Sequence, residues 1–190
     1  MKKTIIAAFL LLFLCIGKSF AQYTTTKTDG GSAVTKYNDD YSVNKGSTLK
    51  REWYTLNNAA CPLQLKDIGI STLYDSKYLF TPKGEMIAKD TITAYEIHHI
   101  LYDVFGRFLV SLRNFTCKNI AGNFNFPDYW SWGSDMDMAS EYYTCVSYVA
   151  CVRTSSGKVW KYNPIDIKAE LNKIQIVYED SYSPKSETKK

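Results

Sequence analysis

The chain has 190 residues, 45% of them hydrophobic and 15% aromatic, with 23 Lys and Arg against 19 Asp and Glu. That length suits one domain with a real core. The basic pI of 8.7 does not mark a nucleic-acid or anionic-surface binder. Lys2, Lys3 and Lys18 belong to a leader, and without them the balance is 20 − 19 = +1.

The leader is MKKTIIAAFLLLFLCIGKSFA. Its positive start, and an apolar run from Ile5 to Ile16 too short to span a bilayer, read as a secretory signal. Small residues at Ser19 and Ala21 put cleavage after Ala21 and predict a secreted or periplasmic chain from Gln22. A lipid anchor on Cys15 is disfavoured by Leu14 before it. No second membrane span is expected. Residues 22–50, rich in Thr, Lys, Asp, Gly and Ser, read as a flexible polar lead-in with a short strand near Tyr41. Residues 51–180 are the predicted folded body, and 181–190 a disordered tail.

Leu63 to Thr72 alternates as a strand does, then changes phase near Asp67, as a bulge would make it do. Thr81-Pro82-Lys83-Gly84 reads as a turn between Tyr78-Leu79-Phe80 and Met86-Ile87-Ala88. A second hairpin follows, turning at Asp103-Val104-Phe105-Gly106, where Asp can bond its own backbone and Gly accepts positive φ. With Asp103 facing Arg107, the expected pairs are Tyr102 with Phe108, Ile100 with Val110, and His98 with Leu112. Leu101 then meets Leu109 and His99 meets Ser111.

That register puts the even-numbered residues on the core side. It makes His98 a core or near-core histidine and His99 a surface one. These are the only histidines of the chain. Neighbours on a strand point to opposite faces, so they cannot chelate one metal together. No metal site and no cofactor is expected.

Residues 122–138, GNFNFPDYWSWGSDMDM, crowd Phe124, Phe126, Tyr129, Trp130 and Trp132 beside Asp128, Asp135 and Asp137. Exposed rings next to polar groups suit the face of a sugar, which makes Phe126, Asp128, Tyr129, Trp130 and Trp132 the candidate ligand residues. The other reading is a crossover whose rings plug one end of the core, because aromatics bury large areas. Asp135, Asp137 and Glu141 lack the spacing and glycine of a calcium loop. Asn114-Phe115-Thr116 fits the glycosylation pattern, which has meaning only on a eukaryotic secretory route.

A long strand is expected from Glu141 to Arg153, its even face apolar (Tyr142, Val146, Tyr148, Ala150, Val152). Thr154-Ser155-Ser156-Gly157 should turn it back, with Thr154 opposite Lys158 and Val152 beside Trp160. Asn163-Pro164 then offers a cap and a first-turn proline, and Ile167, Leu171 and Ile174 recur at helical spacing. Ile174 to Glu179 reads as a closing edge strand.

The stretch His99-Ile100-Leu101-Tyr102-Asp103 resembles the FxLYD motif of small extracytoplasmic domains, with His99 where the pattern has Phe. The hairpin, the long strand, the Gly157-Lys158-Val159-Trp160 turn and the short helix are similar to bacterial secreted domains of unknown function. The resemblance spans roughly 63–174. It implies a mainly β, immunoglobulin-like antiparallel β-sandwich with one short C-terminal helix, and no catalytic residues.

Four cysteines lie beyond the leader: Cys61, Cys117, Cys145 and Cys151. In an oxidising compartment an even count favours at least one disulfide. Cys145 and Cys151, six residues apart on one strand, stand roughly 20 Å apart and cannot pair with each other. Without a C-x-x-C spacing, zinc is not indicated.

The functional expectation is a non-catalytic binding or interaction module that meets a protein or glycan at the cell envelope. A cell-surface polymer hydrolase would need Asp128, Asp135 and Glu141 as its acid and base. There is no G-x-S-x-G for a serine nucleophile. A structural assembly subunit, adding a strand to a neighbour's sheet, is the third reading.

Overall fold

The computed structural model describes residues 24–27, 32–39, 51–75, 77–126 and 130–176. Residues 1–21, expected to be a secretory signal, the residues around Tyr41, Asp128, Tyr129 and the C-terminal residues 177–190 lie outside them. Among the described residues the fold is mainly β, a curled ten-stranded sheet with two short helices. The strands are β1 (Thr24–Lys27), β2 (Ser32–Asp39), β3 (Arg51–Asn58), β4 (Leu63–Asp75), β5 (Lys77–Asp103), β6 (Phe108–Thr116), β7 (Ile120–Asn125), β8 (Trp132–Ser134), β9 (Tyr142–Thr154) and β10 (Val159–Lys161). The helices are α1 (Met136–Glu141) and α2 (Pro164–Lys173).

The 27-residue β5 is the spine. Along one edge β6, β7 and β8 retrace it in turn, from Phe108 opposite Tyr102 to Ser134 opposite Tyr78. Along the other edge β4 pairs with its first half and β9 with its second. Beyond β9 come β3, in parallel, then β2 and β1. The sheet curls until β3 meets β4. The Trp53 indole packs on Gly69, where a Cβ would sit 1.8 Å from a ring carbon. Asn57 on β3 both donates to the Leu65 carbonyl (2.7 Å) and accepts from the Leu65 amide (2.8 Å). Arg51, buried, donates to Thr72 Oγ1, the Ala139 carbonyl and the Tyr142 carbonyl, and so ties β3, β4, α1 and β9 together.

Several local expectations hold. The ladder shifts between Lys66 and Gly69, and Asp67 takes φ 55, the bulge that the phase change predicted. Asp103 accepts the amides of Phe105 and Arg107, and Gly106 has φ 77. Thr154 bonds Lys158, and Trp160 faces Val152. Asn163 caps α2, which buries Ile167 and Leu171.

Other expectations need correction. Residues 81–84 make no turn. β5 runs straight through them, and the β4–β5 ladder continues beyond them as far as Asp75 opposite Lys77. Gly84 keeps its positive φ (122) because it lies against the Asp67 bulge, where a Cβ would stand 2.5 Å from the Asp67 carbonyl oxygen. Pro82 falls between the stretches of β5 paired to β8 and to β7, a gap that tolerates a missing N–H.

The β5–β6 register slips by one beyond Tyr102–Phe108, so Leu101 faces Val110 and His99 faces Leu112. The polar lead-in contains two strands, β1 and β2, and the alternating Ser32–Asp39 segment extends the sheet from β3. The β9 face also divides. Val146 and Tyr148 lie under α2, whereas ladder irregularities next to Tyr143 and Ala150 turn Tyr142 and Val152 to the interior. Of the expected closing strand, Ile174 and Ile176 pack beside α2, and 177–179 lie outside the described residues.

Both faces of β5 are therefore covered. The outer face carries Ile100 and Tyr102 against Val146, Tyr148, Tyr162, Ile167 and Leu171. The inner face carries Tyr95, Ile97 and Leu101 into the clusters that hold Leu63, Met86, Phe126, Trp53, Phe80 and Cys145. Covering both faces reverses the histidine assignment: His99 is the fully buried one and His98 the half-buried one.

Candidate functional site

His99 sits mid-strand on the inner face of β5. Ser147, directly across on β9, meets its Nδ1 at 2.8 Å, and Asn114 on β6 meets its Nε2 with Oδ1 at 2.8 Å. Phe126 and Trp132 border the ring, with centroids 5.8 and 5.9 Å away. An imidazole sealed from water pays heavily to be charged. Burial lowers its pKa to about 3, only partly opposed by the bond to Asn114. The ring is therefore neutral.

Its tautomer follows from the partners. An amide oxygen can only accept, so Nε2–H donates to Asn114 and Nδ1 accepts the Ser147 hydroxyl proton. Ser147 Oγ also lies 3.5 Å from Cys145 Sγ. With its oxygen occupied, Asn114 has the amide –NH2 left, and no described residue accepts from it.

On the outer face, Glu96 Oε1 lies 2.6 Å from His98 Nε2 and 2.9 Å from Arg113 Nε. His98 Nδ1 meets the Tyr148 hydroxyl at 3.2 Å. The two histidines thus face opposite ways and serve separate networks.

Among the described strands β6 pairs only with β5. Arg113, Asn114, Phe115, Trp130, Ser131 and Trp132 line a groove there of about 200 Å³. Phe115 is 55% exposed, and the Arg113 guanidinium lies 5.8 Å from its ring centroid. Trp130 and Trp132 are half-buried. Trp130 leans on Tyr95 and Phe126, and Trp132 on His99. Both tryptophans thus pack against the core and also border the groove.

The remaining candidates divide. Phe126 is wholly a core residue, 6% exposed. Asp128 and Tyr129 lie outside the described residues. Asp135 caps α1 through the Met138 amide (2.7 Å), and Glu141 is exposed at the far end of that helix. Neither lines the groove. Among the described residues no cluster of His, Cys, Asp or Glu could hold a metal ion.

The expected disulfide is absent, because all four described cysteines are free thiols. Cys61 and Cys145 are buried on the inner face, and burial pushes both thiols up to about 12. Asn114, half of the glycosylation pattern, is buried and held by His99.

Sequence reasoning missed Arg113, Asn114, Phe115, Ser131 and Ser147. One signal for Asn114 was present: an amide at an alternate position of a strand, between Leu112 and Thr116, marks a buried polar partner. No family model, curated protein or solved structure matches the chain.

Proposed function

We propose that this is an exported, non-catalytic binding module that holds a sugar ring of an envelope or extracellular glycan in the groove beside β6. The groove lining carries the reading. Two tryptophans and an exposed phenylalanine border the same 200 Å³ as an arginine, an asparagine and a serine. This is the pairing a pyranose needs, with one apolar face and polar edges. The leader supports export. The full burial of Ser147, the hydroxyl bonded to His99, supports binding rather than hydrolysis.

We further propose kinship with the immunoglobulin-like, FxLYD-like domains. In support, Leu101 and Tyr102 fill opposite cores, Asp103 organises the turn, and His99 packs among aromatic rings as a Phe would.

Binding of the exported chain to a glycan array, beside its Phe115→Ala variant, tests the reading. The expected result is a defined set of bound glycans, lost in F115A while the melting temperature stays put. No bound glycan, or equal binding by the variant, sinks it.

A further inference from the structure

We infer that the exported chain closes its own N-terminus: Gln22, freed by cleavage after Ala21, becomes a pyroglutamyl ring. This goes beyond the binding reading above and rests only on its export half. The observation is which residue the cut exposes and what that residue leads into. Among Phe20, Ala21, Gln22 and Tyr23, glutamine alone carries an amide that its own α-amine can reach in a five-membered ring. Only Tyr23 separates it from Thr24, which opens β1, the four-residue strand at one end of the sheet. Among the described strands β1 pairs with β2 alone, so the new terminus leads into a sheet edge and not into the core.

The step balances without a co-reactant. The unprotonated α-amino nitrogen attacks Cδ of the side-chain amide, and an N–Cδ bond forms as the Cδ–Nε2 bond breaks. One amine proton passes to the departing nitrogen, which leaves as ammonia. Nothing is oxidised or reduced. At neutral pH roughly a tenth of ordinary α-amines are unprotonated. Holding both groups in one residue turns an encounter into an intramolecular reaction. The product is an amide where a cation stood. A short terminal edge strand is where an exopeptidase starts, and the closed end offers an aminopeptidase no amine to recognise. The ring therefore protects β1 and β2, the outermost part of the sheet, once the chain is outside the cytoplasm.

The test reads the terminus of the full chain expressed with its own leader. The exported protein is harvested fresh and its free amines are reductively methylated at once, which excludes a ring formed in handling. Trypsin then cuts at arginine alone, and the peptide Gln22–Arg51 is sequenced by tandem mass spectrometry. Most molecules should give this peptide unlabelled at its terminus and lighter by one ammonia. Pyroglutamyl peptidase should convert it to a peptide that begins at Tyr23. In Gln22→Ala the terminus should carry the label throughout, and an aminopeptidase should trim the unlabelled variant but not the wild type.

A labelled Gln22 in most molecules, or a cut at another bond, overturns the inference and leaves export standing. Equal trimming of variant and wild type contradicts the protection. A leader still attached removes the export reading and the inference together.

Discussion

The two faces of β5 solve the same problem in different ways. The outer face, under α2, buries Ile100 and Tyr102 among aliphatic and aromatic side chains and leaves its histidine at the margin, where Glu96, Tyr148 and some solvent share it. The inner face buries its histidine completely and accepts the cost by occupying both ring nitrogens. A polar residue at the centre of a sheet is thus tolerated when its neighbours on both flanking strands complete it, and the same bonds then orient whatever lies beyond them. Here that is Asn114 and the groove.

The largest effect should come from prying the inner face open. In Gly69→Ala the new Cβ meets the buried Trp53 ring at 1.8 Å, and neither strand can retreat without losing the Asn57–Leu65 bonds. A loss at or beyond the upper end of ~1–3 kcal/mol is expected in chemical denaturation.

Next comes acid. The ring pKa of His99 is about 3 when folded and 6.5 when unfolded, so the unfolded chain binds the extra proton between those values. This contribution to stability is whole above about pH 6.5 and is lost as pH falls toward 3, at ~1.4 kcal/mol per pH unit. Denaturation midpoints measured at pH 7, 6 and 5 should fall accordingly, and His99→Gln should flatten the trend. Asp103 adds to acid loss only lower down. Burial would raise its carboxyl, but the bonds from Arg107 and Phe105 outweigh that and hold it below the usual range.

A matched pair then compares the faces directly. Ser147→Ala strips the inner histidine of its donor and should cost about 1–3 kcal/mol, whereas Tyr148→Phe, beside the outer one, should cost about 0.5–1.5 kcal/mol. Equal losses would erase the distinction. Smallest of all, Phe115→Ala should change stability by no more than ~0.5 kcal/mol, since the ring is largely in solvent.

How much of this was legible in the sequence depended on the range of the interactions. The Asp103 turn, the Asn163-Pro164 cap and the Gly157 turn are each decided within four or five residues, and each could be read directly. The Asp67 bulge showed as a break in alternation. Residues 81–84 misled because Pro and Gly there answer features of other strands: a gap between β7 and β8, and the bulge on β4.

The one-residue slip after Tyr102 cannot be seen locally, yet it moves every partner of β6. The histidine faces were reversed for a related reason: alternation tells which residues share a face, not which face is deeper when both are covered. The site was half visible. Its tryptophans stand out by composition, whereas Asn114 and Ser147, 15 and 48 residues from His99, are joined to it only by the sheet.

The tautomer of His99 is the most direct measurement of the whole account, because it fixes the buried network and the direction of the Asn114 amide at once. Long-range 1H–15N spectra of the histidine rings, recorded from pH 8 to pH 4, should show His99 neutral throughout with its proton on Nε2. A proton on Nδ1, or a ring that charges near pH 6.5, would contradict it.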